Sequence, residues 1–353
     1  MLGSISLAAG LSSRGIIHFR PQAGWVLLRR MIGPMRRRDL IVFLGNGAVA
    51  WPFASYGQQA KTPTIGVLLV GNLEPFWSQF REGLRDFGYV DGQNIRVEFR
   101  SGEGKLHILP DLAADLVRLK VDLIVASETP AVQAAKQATS VIPIVMAPSG
   151  DPVGTGQVAS LAKPGGNVTG LSAATAELAG KSLELLRELV PSAGRVAALA
   201  DPTNPFTKPF LEQIQLAAKA LSIEIQVNMV RGEEDFANAF AAMIAAKVDA
   251  VIVQPTLPRK LVVELVLQHR LPAVSGNRAF ADAGGLLSYA ASLTDRYRAA
   301  AVYVDKILKG RNPGDLPVQQ PTKFELVINS KTAQALGLTI PSTMLLRADE
   351  LIK

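Results

Sequence analysis

From residue 64 onward the chain repeats one theme. A short β-branched apolar run is followed by a loop of Gly, Pro, Ser, Asn or Asp, then by a stretch with helical periodicity. The runs at 65–70, 123–126, 144–147, 196–200 and 251–254 lack the period-two alternation of a half-exposed strand. They read as strands buried on both faces, as in parallel sheets. The intervening stretches carry the other period. In 108–119, Ile108, Leu112 and Leu116 form one apolar row and Leu109, Ala113 and Val117 the next. Pro110 sits in the first turn, where a missing N–H breaks no helical bond. Phe210, Ile214 and Leu221 repeat the device in 210–221.

Alternating strands and helices predict an α/β protein with parallel sheets covered by helices. About five strands precede Leu171 and four more fall between Arg195 and Ser275, which divides the chain into two Rossmann-like lobes. A strand at 285–289 and a helix at 292–310 follow as a return crossing, and a strand-then-helix segment at 323–336 closes the fold. The expected lobes are 61–172 plus 285–316 (N-terminal) and 173–284 plus 317–353 (C-terminal). Sheets of this kind bind ligands outside the carboxyl ends of their strands. Two facing lobes turn those ends into one cleft, which hinge closure can bury.

Charge adds a leader to this picture. The 353-residue chain carries a formal net charge of +7. Residues 1–60 hold seven Arg and a single acid, Asp39, which leaves 30 basic against 29 acidic residues for the body. A basic excess confined to a leader excludes a nucleic-acid-binding body. Within 35–57, Arg36, Arg37 and Arg38 form a charged start, 40–53 is mostly apolar, and Ser55 and Gly57 stand at −3 and −1 from a cleavage point before Gln58. That is the layout of a signal peptide, and it implies export to the periplasm. Its apolar run is too short and too interrupted to anchor in a bilayer. Arg37-Arg38-Asp39-Leu40-Ile41 also fits the twin-arginine pattern, so the general and the twin-arginine routes both stay open. Residues 1–34 resemble neither signal nor domain, and Met35 is the expected true start.

Composition narrows the chemistry. There is no cysteine, so disulfides, thiolate nucleophiles and Cys-based metal sites are all excluded. His18, His107 and His269 are widely separated, without metal-ligand spacing. Gly180-Lys181-Ser182 lacks the first glycine of a phosphate loop, Thr175 standing in its place. Gly154 and Gly156 lack the third glycine of a dinucleotide fingerprint, and no Gly-x-Ser-x-Gly elbow is present. No catalytic, cofactor or metal-binding set is expected.

The strand ends hold the candidate ligand contacts. Ser127-Glu128-Thr129-Pro130 opens a helix that Ser127 or Thr129 is expected to cap, with the free amides placed for a ligand carboxylate. Asp151, ahead of Pro152, either pairs with a ligand ammonium or braces its turn. In the second lobe, Asn204, Gln254 and Thr256 offer short polar groups suited to orienting a small molecule. Trp77, beside Phe76, either stacks on a flat ligand or packs its helix onto the sheet.

Several segments also carry a family resemblance: MRRRDLIVFLG from Met35, FREGLRDFGYVDGQNIRVEFR (80–100), LPDLAADLV (109–117) and SGDPVGTGQVASLAKPGGNVTG (149–170). LELLRELVP (183–191), FADAGGLLSY (280–289) and LPVQQPTKFELVINSKTAQALGLTIP (316–341) continue it across nearly all of the mature chain. In these the chain resembles the ABC transporter substrate-binding family that includes the tryptophan-binding protein of Gram-positive bacteria. The resemblance implies a type I periplasmic-binding-protein fold, a small-molecule solute held between lobes, and delivery to an ABC transporter permease. It implies contacts at the Ser127/Thr129 turn, Asp151, Asn204, the Gln254/Thr256 turn and Asn277, and it fixes no particular solute. Some relatives look like binders of aromatic amino acids. The leader is longer than the family pattern, which sets 1–34 apart. The expected protein is a monomer that performs no chemistry. An enzyme on two Rossmann-like lobes is the alternative, because such scaffolds host many activities. A transcription regulator's sensing domain would need a DNA-binding headpiece where the signal peptide stands.

Overall fold

The computed structural model describes residues 62–353, so residues 1–34 and the expected signal peptide lie outside the described residues. Two sheets account for the twelve strands among those residues. The first is β1 (Thr64–Leu69), β2 (Arg96–Ser101), β3 (Leu123–Ser127), β4 (Ile144–Ser149) and β5 (Val168–Ser172), in the order β2-β1-β3-β4-β5. Every pair in it is parallel, with Ile65 opposite both Val97 and Leu123. The second is β6 (Arg195–Ala200), β7 (Glu224–Met229), β8 (Ala250–Val253), β9 (Ala273–Ser275), β10 (Leu287–Ala291), β11 (Phe324–Asn329) and β12 (Glu350–Ile352), in the order β12-β11-β10-β9-β8-β6-β7. Only β10 and β11 run antiparallel there.

Helices cover both faces of each sheet. In the first lobe these are α1 (Phe76–Asp86), α2 (Leu109–Arg118) and α3 (Thr129–Ala138). The second lobe holds α4 (Thr175–Leu189), α5 (Thr207–Leu221), α6 (Glu233–Ala245), α7 (Arg259–Gln268) and the short α8 (Arg278–Asp282). Then follow α9 (Leu293–Leu308), α10 (Ser330–Ala335) and α11 (Ser342–Arg347). Although β1 is apolar throughout, its alternation still sorts side chains by face. Ile65, Val67 and Leu69 join Phe80, Leu84 and Val304 of α1 and α9, whereas Leu68 meets Leu109, Ala113 and Leu116 of α2. In β6, Val196, Ala198 and Ala200 face α4 and α5, while Ala197 and Leu199 face α6 and α7.

The chain passes between the sheets three times, at 172–175, 291–293 and 320–324. Two expected boundaries therefore move. β10 pairs with β9 and β11, so 287–291 belongs to the second lobe and not, with 285–316, to the first. The third crossing comes after 320 and not at 317, because Gln319 N–H donates to Gly170 (3.0 Å) and Val318 N–H to Leu161 (2.7 Å), both in the first lobe. An apolar run alone does not say which sheet edge accepts it. Arg296, at the start of α9, gathers the crossings: its Nη2 donates to Ser172 (2.9 Å) and Gln319 (3.3 Å) carbonyls.

Candidate functional site

The first-lobe wall of the site is the junction between β3 and α3. Glu128 holds φ 72° and ψ 152°, a region that side-chain-bearing residues almost never occupy. Its neighbours fix it there. Glu128 N–H donates to the Pro148 carbonyl (2.8 Å), and the Thr129 hydroxyl accepts from Gly150 N–H (3.1 Å) while lying 3.1 Å from the Ser149 hydroxyl. Gln157 Nε2 donates to the Thr129 carbonyl at 3.1 Å. The expected capping is thereby corrected. Glu128 stands at the N-cap without a side-chain capping bond, Thr129 is the first helical residue, and Ser127 ends the strand, near the Tyr297 hydroxyl of α9.

The second-lobe wall is one polar network. Gln254, fully buried, accepts from Asp201 N–H (2.7 Å) and donates to the Thr207 hydroxyl (2.9 Å), tying the loops after β6 and β8. Asn204 accepts from Phe206 N–H (2.9 Å) and donates to Thr256 Oγ1 (2.8 Å), which leaves the Thr256 hydroxyl proton free to donate. Asn277 caps α8 by accepting from Ala279 N–H (3.0 Å). The structure thus joins Asn204, Gln254 and Thr256 in one network and sets Ser127 beside Thr129 at the other wall.

Two candidates have packing or turn partners of their own. Trp77 packs edge-on against Phe99 of β2, with ring centroids 4.7 Å apart, and the Arg81 guanidinium lies 5.7 Å from its ring centre. Its indole packs α1 onto the sheet. Asp151 braces its turn: Oδ1 accepts from Gly154 N–H (2.8 Å) and its carbonyl from Thr155 N–H (3.1 Å).

The walls meet through residues that sequence reasoning passed over. A Cβ built on Gly150 of the first lobe would lie 2.9 Å from the Phe206 ring of the second, so that ring seats directly on the glycine backbone. Burial pushes the Glu128 carboxyl up to about 7, and the only opposing influence is the Arg259 guanidinium at the start of α7, in the facing lobe. Burial, then the Glu128 charge, raise the Tyr297 hydroxyl as well. Phe76 packs edge-on against the Tyr297 ring at 5.1 Å. Glu128 was visible between two hydroxyl residues, but an acid in a turn reads as solvated. Arg259 follows a proline at a helix start, and nothing in its spacing aims it at a cleft.

Beside the crossings, Gly150, Asp151, Ser172, Glu177 and Gln320 line a cavity of about 80 Å³. It suits water and not a ring-bearing solute, whose sites run to roughly 300 Å³ or more. Among the described residues no group of three or more His, Cys, Asp or Glu is placed to hold a metal ion, and no helix is long and apolar enough to cross a membrane.

Two doubly wound α/β lobes, three crossings and facing strand ends define a two-lobed binding protein of the type I periplasmic class. Residues 73–352 match the ABC transporter substrate binding protein family, and the chain belongs to it. It is 28% identical over 265 residues to a tyrosine-binding protein of Clostridioides difficile, covering 73% of this chain and 75% of that one. A conserved domain protein of Vibrio cholerae superposes with a TM-score of 0.77 at 28% identity, over 82% of this chain and 100% of that one. An ABC domain of Streptococcus pneumoniae, solved in complex with L-Trp, superposes with a TM-score of 0.74 at 30% identity, over the same shares. The family comprises solute-binding proteins of transporters and not enzymes, which sets aside the enzyme alternative.

Proposed function

We propose that the protein captures a small solute, an aromatic amino acid or a related carboxylate, between its lobes, and that the closed form delivers it to an ABC import permease. The observation that carries this reading is the close approach of the two lobes at Gly150 and the Phe206 ring, with Glu128 following β3 on one side and Arg259 opening α7 on the other. A solute touching both walls favours the closed state by its differential contacts alone, with no chemistry required. The ligands of the two relatives, tyrosine and L-Trp, support the solute class. The signal-peptide layout of 35–57 supports action in the periplasm, and delivery by a freely diffusing carrier suits a monomer.

The test is a thermal-shift screen against amino acids, aromatic acids and small carboxylates, followed by small-angle scattering with each hit. A true solute raises the midpoint progressively above its dissociation constant and reduces the radius of gyration. No rise across the panel refutes the solute class. A rise without compaction refutes capture by closure.

A further inference from the structure

The reading of the cleft as an amino-acid site leaves open which protein group recognises which end of the solute, and the charges at the two walls bear on that question. The β3–α3 junction ends in a helix N-terminus, a place that ordinarily favours an anion. Here the residue at that junction is itself a carboxylate. We infer that Glu128 receives the solute's ammonium group, that Arg259 takes its carboxylate, and that Glu128 thereby selects α-amino acids over the corresponding acids without an amine.

Three observations carry this inference, which rests on the proposed amino-acid reading. First, among the described residues the Glu128 carboxylate has no hydrogen bond and no ion pair, although it is half-buried. A buried carboxylate without a partner is costly, and an ammonium with three N–H donors is the complement it lacks. Second, the neighbouring groups do not serve it. No hydrogen bond reaches Glu128 from Ser127 or Tyr297, and Thr129 is bonded to Ser149 and Gly150. Arg259, which opens α7 in the opposite lobe, closes no ion pair with it. Third, the backbone at Glu128 holds a conformation suited to glycine, and the surrounding bonds keep it there. That strain places the carboxylate at the domain-facing end of β3 and does nothing else visible for the fold.

A zwitterion fits this arrangement because its charges are opposite in sign and close together. Its ammonium would meet the first lobe and its carboxylate the second, where a guanidinium offers paired donors. Removing the amine would leave Glu128 desolvated and unpaired on closure, so the penalty falls on the wrong solute.

Isothermal titration would compare L-tyrosine and L-tryptophan with 3-(4-hydroxyphenyl)propionate and indole-3-propionate. The wild type should favour the amino acid of a pair by roughly 10- to 100-fold, the range set by one charged hydrogen-bonded contact. Glu128→Gln should bring the pair within about threefold, by weakening the amino acid and strengthening the amine-free acid, which no longer leaves a carboxylate unpaired. Glu128→Gly, which suits the backbone at 128, should do the same, and a cooperative melting transition no lower than that of the wild type, with retained acid binding, shows that both variants fold. Arg259→Gln should weaken both members of a pair equally. If Glu128→Gln keeps the wild-type preference, the inference falls while the amino-acid reading stands. If the wild type binds the amine-free acids but no amino acid, the inference and the amino-acid reading fall while the related-carboxylate reading stands; if it binds nothing in the panel, all fall.

Discussion

The strongest physical consequence of the Glu128 site is a stability that declines as pH rises. Its carboxyl stands at about 7 in the folded chain against 4.5 for a free glutamate side chain. Below 4.5 both folded and unfolded states carry the proton, and no difference arises. Between 4.5 and 7 the unfolded chain has released it while the folded chain retains it, so the unfolded state binds fewer protons and stability falls with pH. Above 7 both are ionised, and the folded state carries the whole cost of a half-buried carboxylate, up to about 3 kcal/mol. Glu128→Gln removes the titration while keeping the side-chain shape. Urea unfolding of both proteins at several values from pH 4.5 to 8.5 isolates this group, because every other titration cancels in the difference. The variant should gain little at pH 4.5 and up to about 3 kcal/mol at pH 8, with most of the change between 5 and 7.5. Saturation with an amino-acid solute should flatten the wild-type slope, since an ammonium beside Glu128 favours its ionised form. A difference that stays flat across the range would refute the reasoning about this carboxyl.

Three further outcomes follow from the packing. Gly83→Ala places a Cβ 2.3 Å from the Arg298 carbonyl of α9, so α1 and α9 must separate; urea unfolding should show a loss of about 1–3 kcal/mol. Trp77→Ala should lower stability by about 2 kcal/mol, through lost contact with Phe99, while solute affinity measured by titration changes less than twofold, because the ring is engaged by Phe99 and Arg81. Arg296→Gln removes the cation bonded to the Ser172 and Gln319 carbonyls, and hydrogen exchange should quicken at the amides of Ser172 and Gln319, which link the first and third crossings.

Periodicity carried most of the fold. The strands at 123–127 and 144–149, the helix over Leu109–Arg118 and the late helix at Leu293–Leu308 all stand within a few residues of where the apolar pattern puts them. What it could not carry was membership. The 287–291 strand reads equally well beside either sheet, and only its pairing with β9 and β11 assigns it. At the site, loop position was legible and role was not. Gln254 and Asn204 lie at strand ends as expected, but their amides bind the chain's own loops, so they shape the wall, and Thr256 is the member of that network with a donor to spare. Thr129 looked like a cap because hydroxyl residues usually are. The positive φ at Glu128 shifts the helix start by one residue and turns the Thr129 hydroxyl toward β4. Such a conformation cannot be anticipated at a glutamate, since backbone preference argues against it.

That mismatch is also what gives the site its meaning. Glycine at 128 would relieve the backbone, and a neutral side chain would spare the fold a desolvated carboxylate. Either change would stabilise the empty protein. Glutamate therefore adds nothing to the fold that a simpler residue would not improve, and its compensation must come from something outside the chain. A bound cation supplies it, since Arg259 of the other lobe forms no ion pair with Glu128. On this argument the same carboxylate opposes stability in the open protein and favours closure when an ammonium arrives. The carrier's preference for amino acids and its weakness at alkaline pH then have one physical origin, and a single substitution at Glu128 should remove both together.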